Sequence, residues 1–403
     1  MFPLFSASRK PPVAGTGGAA TGQAGRRSVL LLLAGGVVAA CQPAGMGGPA
    51  IDTRAPVPVA MLVPGGSGQG GDEALARALE NAARMAIADL QGARIDLRVY
   101  NTAGRAEIAA QQAQLAVNEG ARIILGPVFS AEARAVGPAV AARGVNVLSF
   151  SNNVEVAGGN VFVLGPTFAN TADRLVSYAS RAGRGRILVV HERTPAGEQG
   201  RAAIQLAAAR SGVALAGAEG FDFSQQGVVE ALPRISERAR AGDVEAVFFT
   251  SDTAGALPLL VQLLPDNRVG PEDFQFIGLT RWDIPASTLD LSGVQGGWFA
   301  LPDPAMTARF EQRYTAMYGQ GPHPIAGLAY DGIAAIGALV GRGQSDALTG
   351  AALTQAAGFA GVGGIFRLLP DGTNQRGLAV ATIRDREVQI IDPAPRSFVG
   401  PGL

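Results

Sequence analysis

Short apolar runs alternate with longer, Ala-rich segments of helical period from residue 57 onward. The apolar runs have the length and the β-branched composition of buried strands. Apolar residues that recur every three or four positions from Leu75 to Leu90 predict a helix over 73–90. We expect ten strands, at 57–63, 94–100, 122–125, 146–150, 161–164, 186–191, 213–218, 246–250, 274–278 and 297–301.

This alternation predicts the fold class. Continuous apolar strands separated by amphipathic helices are typical of parallel sheets that helices cover on both faces. The strands fall into two groups, before and after the Gly165-Pro166 turn, and a chain of 403 residues is long enough for two domains. We therefore predict an α/β protein of two Rossmann-like lobes with parallel sheets.

The first forty residues have the features of an export signal. Arg26-Arg27 precedes an apolar run at 29–40, which is shorter than the ~20 residues that span a bilayer as a helix. Val38-Ala39-Ala40-Cys41 resembles a lipobox, in which Cys41 is lipidated and becomes the first mature residue. We expect a lipoprotein signal peptide over 1–40; the alternative is an ordinary signal peptide with an incidental cysteine. The arginine pair also resembles a twin-arginine signal, which leaves the export route open.

The residues that follow the cysteine predict a tether and a location. Residues 41–56 contain several Gly and Pro and are typical of a flexible link between lipid and fold. Gln42 stands where lipoproteins that stay in the inner membrane often carry Asp. By that resemblance we expect a periplasmic protein, lipid-anchored to the outer membrane.

Composition excludes several classes of function. The chain has 33 basic and 33 acidic residues, so nothing in its charge favours a nucleic-acid partner. One cysteine and two histidines leave little for a metal site. Residues 66–71 match GxGxxG, but the second strand ends in Asn101-Thr102 rather than in the acid that would hold a ribose. Since no catalytic motif appears either, we expect no enzyme activity, no catalytic residue, no metal and no cofactor.

Polar side chains follow two of the predicted strands in the first lobe. They lie in the segments 126–130 and 148–153, just beyond strand ends, where open α/β sheets bind ligands. Such hydroxyl and amide groups beside a helix N-terminus donate hydrogen bonds to a carboxylate, but the same residues also cap helices. Both interpretations stay open for the candidate ligand-binding residues of this lobe, which are Ser130, Ser149, Ser151, Asn152 and Asn153.

The sequence resembles the leucine-binding-protein family of type I periplasmic binding proteins. The resemblance lies in residues 122–130, in 144–153, in the pair Gly197-Glu198 and in the Ala-Tyr-Asp segment at 326–331. It implies two lobes that three crossovers join, with a ligand in the cleft between them. By the family's connectivity, we expect an N-terminal lobe of 57–165 plus 299–350 and a C-terminal lobe of 166–298 plus 351–393.

The resemblance also implies how an amino acid would be held. In amino-acid binders of the family, the first lobe holds the α-carboxylate, and the second supplies aromatic residues and an acid for the ammonium group. Here Ala196 stands at the aromatic position, and the acid falls near 280–283. Asp252 and Asp283 are the candidates to replace it. The pattern is eroded, and an unpaired buried ammonium would be costly.

Two functions follow from this resemblance. The main prediction is an envelope lipoprotein that activates a penicillin-binding protein, a peptidoglycan synthase, because the segments at 125–130 and 149–152 look more like that subgroup and the protein is expected in the outer membrane. The alternative is the substrate-binding component of an ABC importer, with a permease as partner and an amino acid or similar small polar solute as ligand.

Overall fold

A computed structural model describes residues 47–398, and the predicted signal peptide and Cys41 lie outside that range. Within it, the strands are β1 Val57–Val63, β2 Ile95–Asn101, β3 Ile123–Leu125, β4 Asn146–Ser149, β5 Val161–Val163, β6 Ile187–Glu192, β7 Leu215–Phe221, β8 Ala246–Phe249, β9 Gln275–Gly278, β10 Trp298–Leu301, β11 Phe359–Gly361, β12 Gly364–Leu368, β13 Asn374–Arg376, β14 Ala379–Arg384 and β15 Glu387–Asp392. The helices are α1 Gly70–Asp89, α2 Ala106–Asn118, α3 Ser130–Ala141, α4 Phe168–Arg181, α5 Pro195–Ser211, α6 Gln225–Arg240, α7 Leu257–Asp266, α8 Pro304–Tyr318, α9 Gly327–Val340 and α10 Gly350–Leu353.

Two large sheets form the two lobes. The first lobe has a parallel sheet of order β2-β1-β3-β4-β5. The second has the order β15-β14-β10-β9-β8-β6-β7. Its pairs β10–β14 and β14–β15 are antiparallel, and its other pairs are parallel. Strands β3, β4 and β8 are buried along their whole length, as strands covered on both faces must be. The predicted two-lobed α/β fold is confirmed.

A third, small sheet of order β11-β12-β13 is antiparallel and was not among the predicted strands. Its strands are short, and glycines occupy three of the positions from 361 to 364, so no continuous apolar run marks them. Phe359, Phe366 and Leu368 pack into the core of the first lobe, together with residues of α8 and α9. The small sheet therefore belongs to the first lobe.

This packing moves the predicted lobe boundaries. Strand β10 pairs with β9 and β14, so the chain stays in the second sheet until Leu301 instead of leaving it at 298. The chain returns to the second sheet only with β14, and not at the predicted residue 351. The first lobe thus holds β1–β5 and the segment from α8 to β13, and the second lobe holds α4 to β10 with β14 and β15.

The part of the predicted tether that the structure describes is docked on the first lobe. Ile51 is buried, and its amide donates to the carbonyl of Ser345 at 2.9 Å. The carbonyl of Gly47 accepts from the amide of Gly350 and from the side chain of Asn146. Residues 47–56 therefore do not form a free linker, since this backbone pairs with the body of the lobe.

Candidate functional site

The carboxyl end of the first sheet carries the loop between β3 and α3. Gly126 has a φ of +90°, and a Cβ there would lie 2.3 Å from the carbonyl oxygen of Leu62 on β1. Only glycine fits this close approach in a left-handed conformation. The loop is thereby held against the sheet, and α3 begins at Ser130, which is half-buried.

The other predicted residues of this lobe bond mainly to one another. The Ser149 hydroxyl donates to the carbonyl of Pro127 at 3.0 Å and accepts from the amide of Ser151 at 3.2 Å. The Ser151 hydroxyl in turn accepts from the amide of Asn153. The Asn153 side chain accepts from Glu155 and caps a short 3-10 helix. These groups fix the loops, whereas Asn152 is exposed and Ser130 is half-buried.

A carboxyl group lies beneath this edge. Glu132, in the first turn of α3, is fully buried. Its Oε2 accepts from the amide of Phe129 at 3.3 Å, and its Oε1 has no partner among the described residues. Burial raises the pKa of this carboxyl, and the nearby Asp72 adds to the rise. The helix end that would attract an anion therefore already carries an acidic side chain.

Two carboxylates and an aromatic ring meet at the carboxyl end of the second sheet. A Cβ added at Gly255 would lie 2.9 Å from an Oδ1 of Asp252, 3.3 Å from Oε1 of Glu192 and 3.4 Å from the ring of Phe223. Glu192 ends β6, Phe223 follows β7 and Asp252 follows β8. Oε1 of Glu192 is buried without a partner in the described part of the chain, whereas the Phe223 side chain is 60% exposed. We call these three residues the acidic-aromatic cluster.

Hydroxyl groups without partners lie at the same edge. Thr250 and Ser251 follow β8, Thr280 follows β9, and the side-chain oxygens of all three are buried without a hydrogen bond to any described residue. An unpaired buried hydroxyl costs on the order of 1–3 kcal/mol, so such groups are rare unless something binds them. The second lobe thus presents a set of polar groups that its own chain leaves unpaired.

The structure separates the two acids that the sequence offered for an ammonium group. Asp283 makes a two-pronged ion pair with its neighbour Arg281, and its side chain is only 13% exposed. Its charge is therefore already compensated. Asp252 is exposed and has a second carboxylate beside it instead of a cation. Of the two candidates, Asp252 is the better one, and Asp283 is better explained as part of a local ion pair.

Other features singled out in the sequence have structural roles. His191 is buried on β6, and burial lowers its pKa. In the GxGxxG segment, the amide of Gly66 donates to the Glu73 carboxylate at 2.7 Å, so an acid occupies this loop. Between residues 47 and 398, no three His, Cys, Asp or Glu side chains are grouped to hold a metal ion. No helix in the same range has the length and apolarity to cross a membrane.

The structure places the predicted residues at one edge of the first sheet, and their role in binding stays a prediction; they are Ser130, Ser149, Ser151, Asn152 and Asn153. The sequence analysis did not name Glu192 and Phe223, which the structure brings beside Asp252. The family resemblance predicts an aromatic side chain at the position of Ala196. In the structure, the aromatic ring comes instead from the loop after β7, and the acid comes from the end of β6. The sequence feature that could have identified Glu192 is its position at the end of a strand. Their convergence depends on the order β8-β6-β7, which brings the three loops together.

Comparison with known proteins agrees with this fold. The family model described as "Periplasmic binding protein" matches residues 56–387. A branched-chain amino acid ABC transporter structure from Rhodospirillum rubrum is similar, with a TM-score of 0.70, 20% identity, and coverage of 84% of this chain and 100% of that one. A branched-chain amino acid ABC transporter periplasmic ligand-binding protein from Burkholderia xenovorans has a TM-score of 0.64 and 16% identity, covering 84% and 96%. An ABC transporter substrate-binding protein from Desulfitobacterium hafniense in complex with Leu has a TM-score of 0.58 and 17% identity. The match covers 84% of this chain and 100% of that one. No curated protein sequence matches the chain.

Proposed function

Because this chain belongs to the family of periplasmic binding proteins, we propose that it is the non-enzymatic substrate-binding component of an ABC importer, and that its solute is a small polar molecule with a protonated amine. A permease is then its partner. The comparisons favour this alternative over the activator that the sequence analysis preferred, because the similar structures described above are ABC transporter proteins.

The acidic-aromatic cluster is the observation that carries the proposal. Both carboxylates lie within 3.3 Å of one point, the position of a Cβ added at Gly255, and one of them has a buried oxygen without a partner among the described residues. A cation bound between two such groups is favourable. An ammonium group supplies that charge and donates hydrogen bonds to Glu192 and Asp252. The ring of Phe223 adds a cation–π contribution, which is worth about 0.5–2 kcal/mol.

The remaining polar groups suit the rest of such a solute. Thr250, Ser251 and Thr280 offer hydroxyls beside the cluster, and Ser130 and Asn152 offer donors on the other lobe. The relative from Desulfitobacterium hafniense is described in complex with Leu, so free amino acids are the first solutes to test. Recognition of the amine by acids on one lobe and of a carboxylate by donors on the other would explain why both edges are polar.

The experiment compares free amino acids, simple amines without a carboxylate, and N-acetylated amino acids by thermal unfolding. At a hundredfold excess over Kd, a bound solute adds about 2.7 kcal/mol of stability, which is a shift of several degrees. We expect a saturable shift with at least one free amine and none with its N-acetylated form. Glu192→Gln should abolish the shift or raise Kd more than tenfold.

Glu245→Gln is the matched control. Glu245 lies before β8, at the opposite edge of the same sheet, and accepts a hydrogen bond from the amide of Arg186. This variant should bind like the wild type. A shift that N-acetylated compounds reproduce, or that survives in Glu192→Gln, contradicts recognition of an amine. No shift with any amine, together with capture of a peptidoglycan synthase from envelope extract, would restore the activator.

We also propose that Cys41 carries a lipid and holds the protein in the periplasm at a membrane. The proposal is supported by the apolar run and the small residues before Cys41. Cys41→Ser should move the protein from the membrane fraction to the soluble periplasm or leave an uncleaved precursor. Unchanged fractionation with a different N-terminus would exclude the anchor, and separation of the two membranes would test the outer-membrane location that Gln42 suggests.

A further inference from the structure

The three-stranded sheet β11–β13 contacts every segment that joins the two lobes. At the first crossover, the amide of Val163 donates to the carbonyl of Gly372 at 2.8 Å. At the second crossover, the amide of Asp303 donates to the carbonyl of Gly363 at 2.8 Å. At the third crossover, the amide of Gly377 donates to the carbonyl of Ile365 at 2.8 Å. The small sheet packs into the first lobe, so all three crossovers are hydrogen-bonded to a part of that lobe.

Within this sheet, Asn374 bonds to both lobes. Its side-chain Nδ2 donates to the carbonyls of Val163 at 2.9 Å and Gly165 at 2.8 Å, where the chain leaves the first lobe. Its backbone carbonyl accepts from Nδ2 of Asn170, on the first helix of the second lobe, at 2.9 Å. Asn374 and Asn170 are 4% and 3% exposed, so water competes little for these bonds.

Arg376 holds the same strand firmly to the first lobe. Its guanidinium pairs with the buried Asp331 of α9 at 3.2 Å, donates to the carbonyl of Leu164 and lies 5.3 Å from the ring centre of Phe366. The second carboxylate oxygen of Asp331 accepts from the amide of Val362 at 2.8 Å. Strand β13 therefore cannot follow the second lobe without breaking a buried ion pair, and it acts as a fixed support.

We propose that Asn374 is the positioning residue of the hinge: it links the first crossover to helix α4 and thereby limits the angles between the lobes. Since binding proteins of this architecture enclose their solute by hinge motion, the range of lobe angles in the free protein sets the fraction of molecules ready to close. By limiting the lobe angles through the first crossover and α4, Asn374 influences the fraction of free molecules that are ready to close.

The chain contains a closely matched control for this proposal. Asn146 is also buried, donates through Nδ2 to two carbonyls, those of Gly47 at 3.0 Å and Leu348 at 2.8 Å, and also has an Oδ1 without a partner among the described residues. All its partners lie in the first lobe. Asn374→Ala and Asn146→Ala thus remove the same kind of bonds, and only the first change affects the hinge.

The experiment measures the distance between spin labels on the two lobes without any ligand. Cys41 is the sole cysteine, so Cys41→Ser gives a background in which Leu115→Cys on α2 and Leu206→Cys on α5 are labelled. Both leucines are exposed, at 45% and 59%. Because no solute is involved, this result is independent of the proposed ligand.

We expect Asn374→Ala to raise the population outside the main distance peak about fivefold, equivalent to about 1 kcal/mol. Asn170→Ala, which removes the bond from the second lobe, should act in the same direction and decides the question if Asn374→Ala does not fold. Asn146→Ala should lower the melting temperature to a similar degree but leave the distance distribution unchanged. Unchanged distributions in both hinge variants, or equal broadening in Asn146→Ala, would overturn the proposal.

Discussion

The carboxyl ends of the two sheets are built from similar residues but satisfy their polar groups differently. In the first lobe, Ser149 and Ser151 bond to neighbouring backbone and hold the loops in place. In the second lobe, Ser251, Thr280 and Oε1 of Glu192 are buried with no partner from the described chain. The serine hydroxyls of the first edge are paired within the chain, and the polar groups named at the second edge are not.

This difference assigns the two lobes different roles in recognition. A hydroxyl that already bonds to backbone contributes to folding and gains little from a ligand. A buried hydroxyl or carboxylate without a partner lowers the stability of the free protein, and a ligand that pairs with it recovers that loss. Under the proposed function, the second lobe would determine which solutes bind, and the first lobe would provide a rigid surface against which they are held.

The largest expected effect comes from a pair of serines. Ser149 and Ser251 are both fully buried, but only Ser149 has hydrogen-bond partners. Ser149→Ala should lower the free energy of unfolding by about 1–3 kcal/mol, because it leaves the amide of Ser151 unpaired and removes one of the two hydrogen bonds to the carbonyl of Pro127. Ser251→Ala should cause no loss of stability but should weaken solute binding. Urea denaturation gives the first quantity and ligand titration the second.

Equal losses of stability in the two serine variants would show that the two edges do not differ in the way described. The comparison of midpoints is valid only if the slope of the unfolding free energy against urea concentration stays unchanged, so both variants need that check.

A smaller effect is expected at Glu132, the exception on the first edge. Because burial raises its pKa above the ordinary value of 4.5, its ionised form is less favourable in the folded than in the unfolded protein. The wild type therefore loses stability as the pH rises through the folded-state pKa. Glu132→Gln keeps an acceptor for the amide of Phe129 and should be more stable than the wild type at pH 8, because the amide carries no charge that burial would penalise. That gain should disappear below pH 4.5, the ordinary pKa of the group.

Glu107→Gln provides the control for this pH dependence. Glu107 also lies in the first turn of a helix, α2, but it is exposed. Its replacement should change the free energy of unfolding little. A Glu132→Gln variant that is less stable than the wild type at pH 8 would mean that a favourable charge interaction outweighs the cost of burial.

The sequence was most informative where strands are buried on both faces. Strand β1 has the predicted bounds, and the other nine predicted strands are shifted by no more than a few residues. Most of these strands contain an apolar run and are buried, whereas the edge strands β2 and β7 are mostly half-buried. Strands β11–β13 have no such signal, because they are short, rich in glycine and polar residues, and stable only against the first lobe. Because β11–β13 belong to the first lobe, that lobe extends beyond its predicted end at residue 350.

The site was only partly predictable for a related reason. Ser130, Ser149 and Ser151 lie near one another in a pattern that follows directly from two adjacent strands. Glu192 and Phe223 are separated by 30 positions, and they meet only because β7 lies next to β6 at the edge of the sheet. Local patterns identify strand ends, but the order of strands in a sheet depends on packing along the whole chain.

The docked segment at 47–56 also determines how far the protein can move from a membrane. If Cys41 carries a lipid as proposed, only residues 42–46 separate it from the docked Gly47. A fully extended chain covers at most about 3.6 Å per residue, so this link reaches about 20 Å. The first lobe would then stay within a thin layer beside the bilayer that holds the lipid. An anchor in the membrane of the permease would make encounters with the permease frequent, and an anchor in the outer membrane would not.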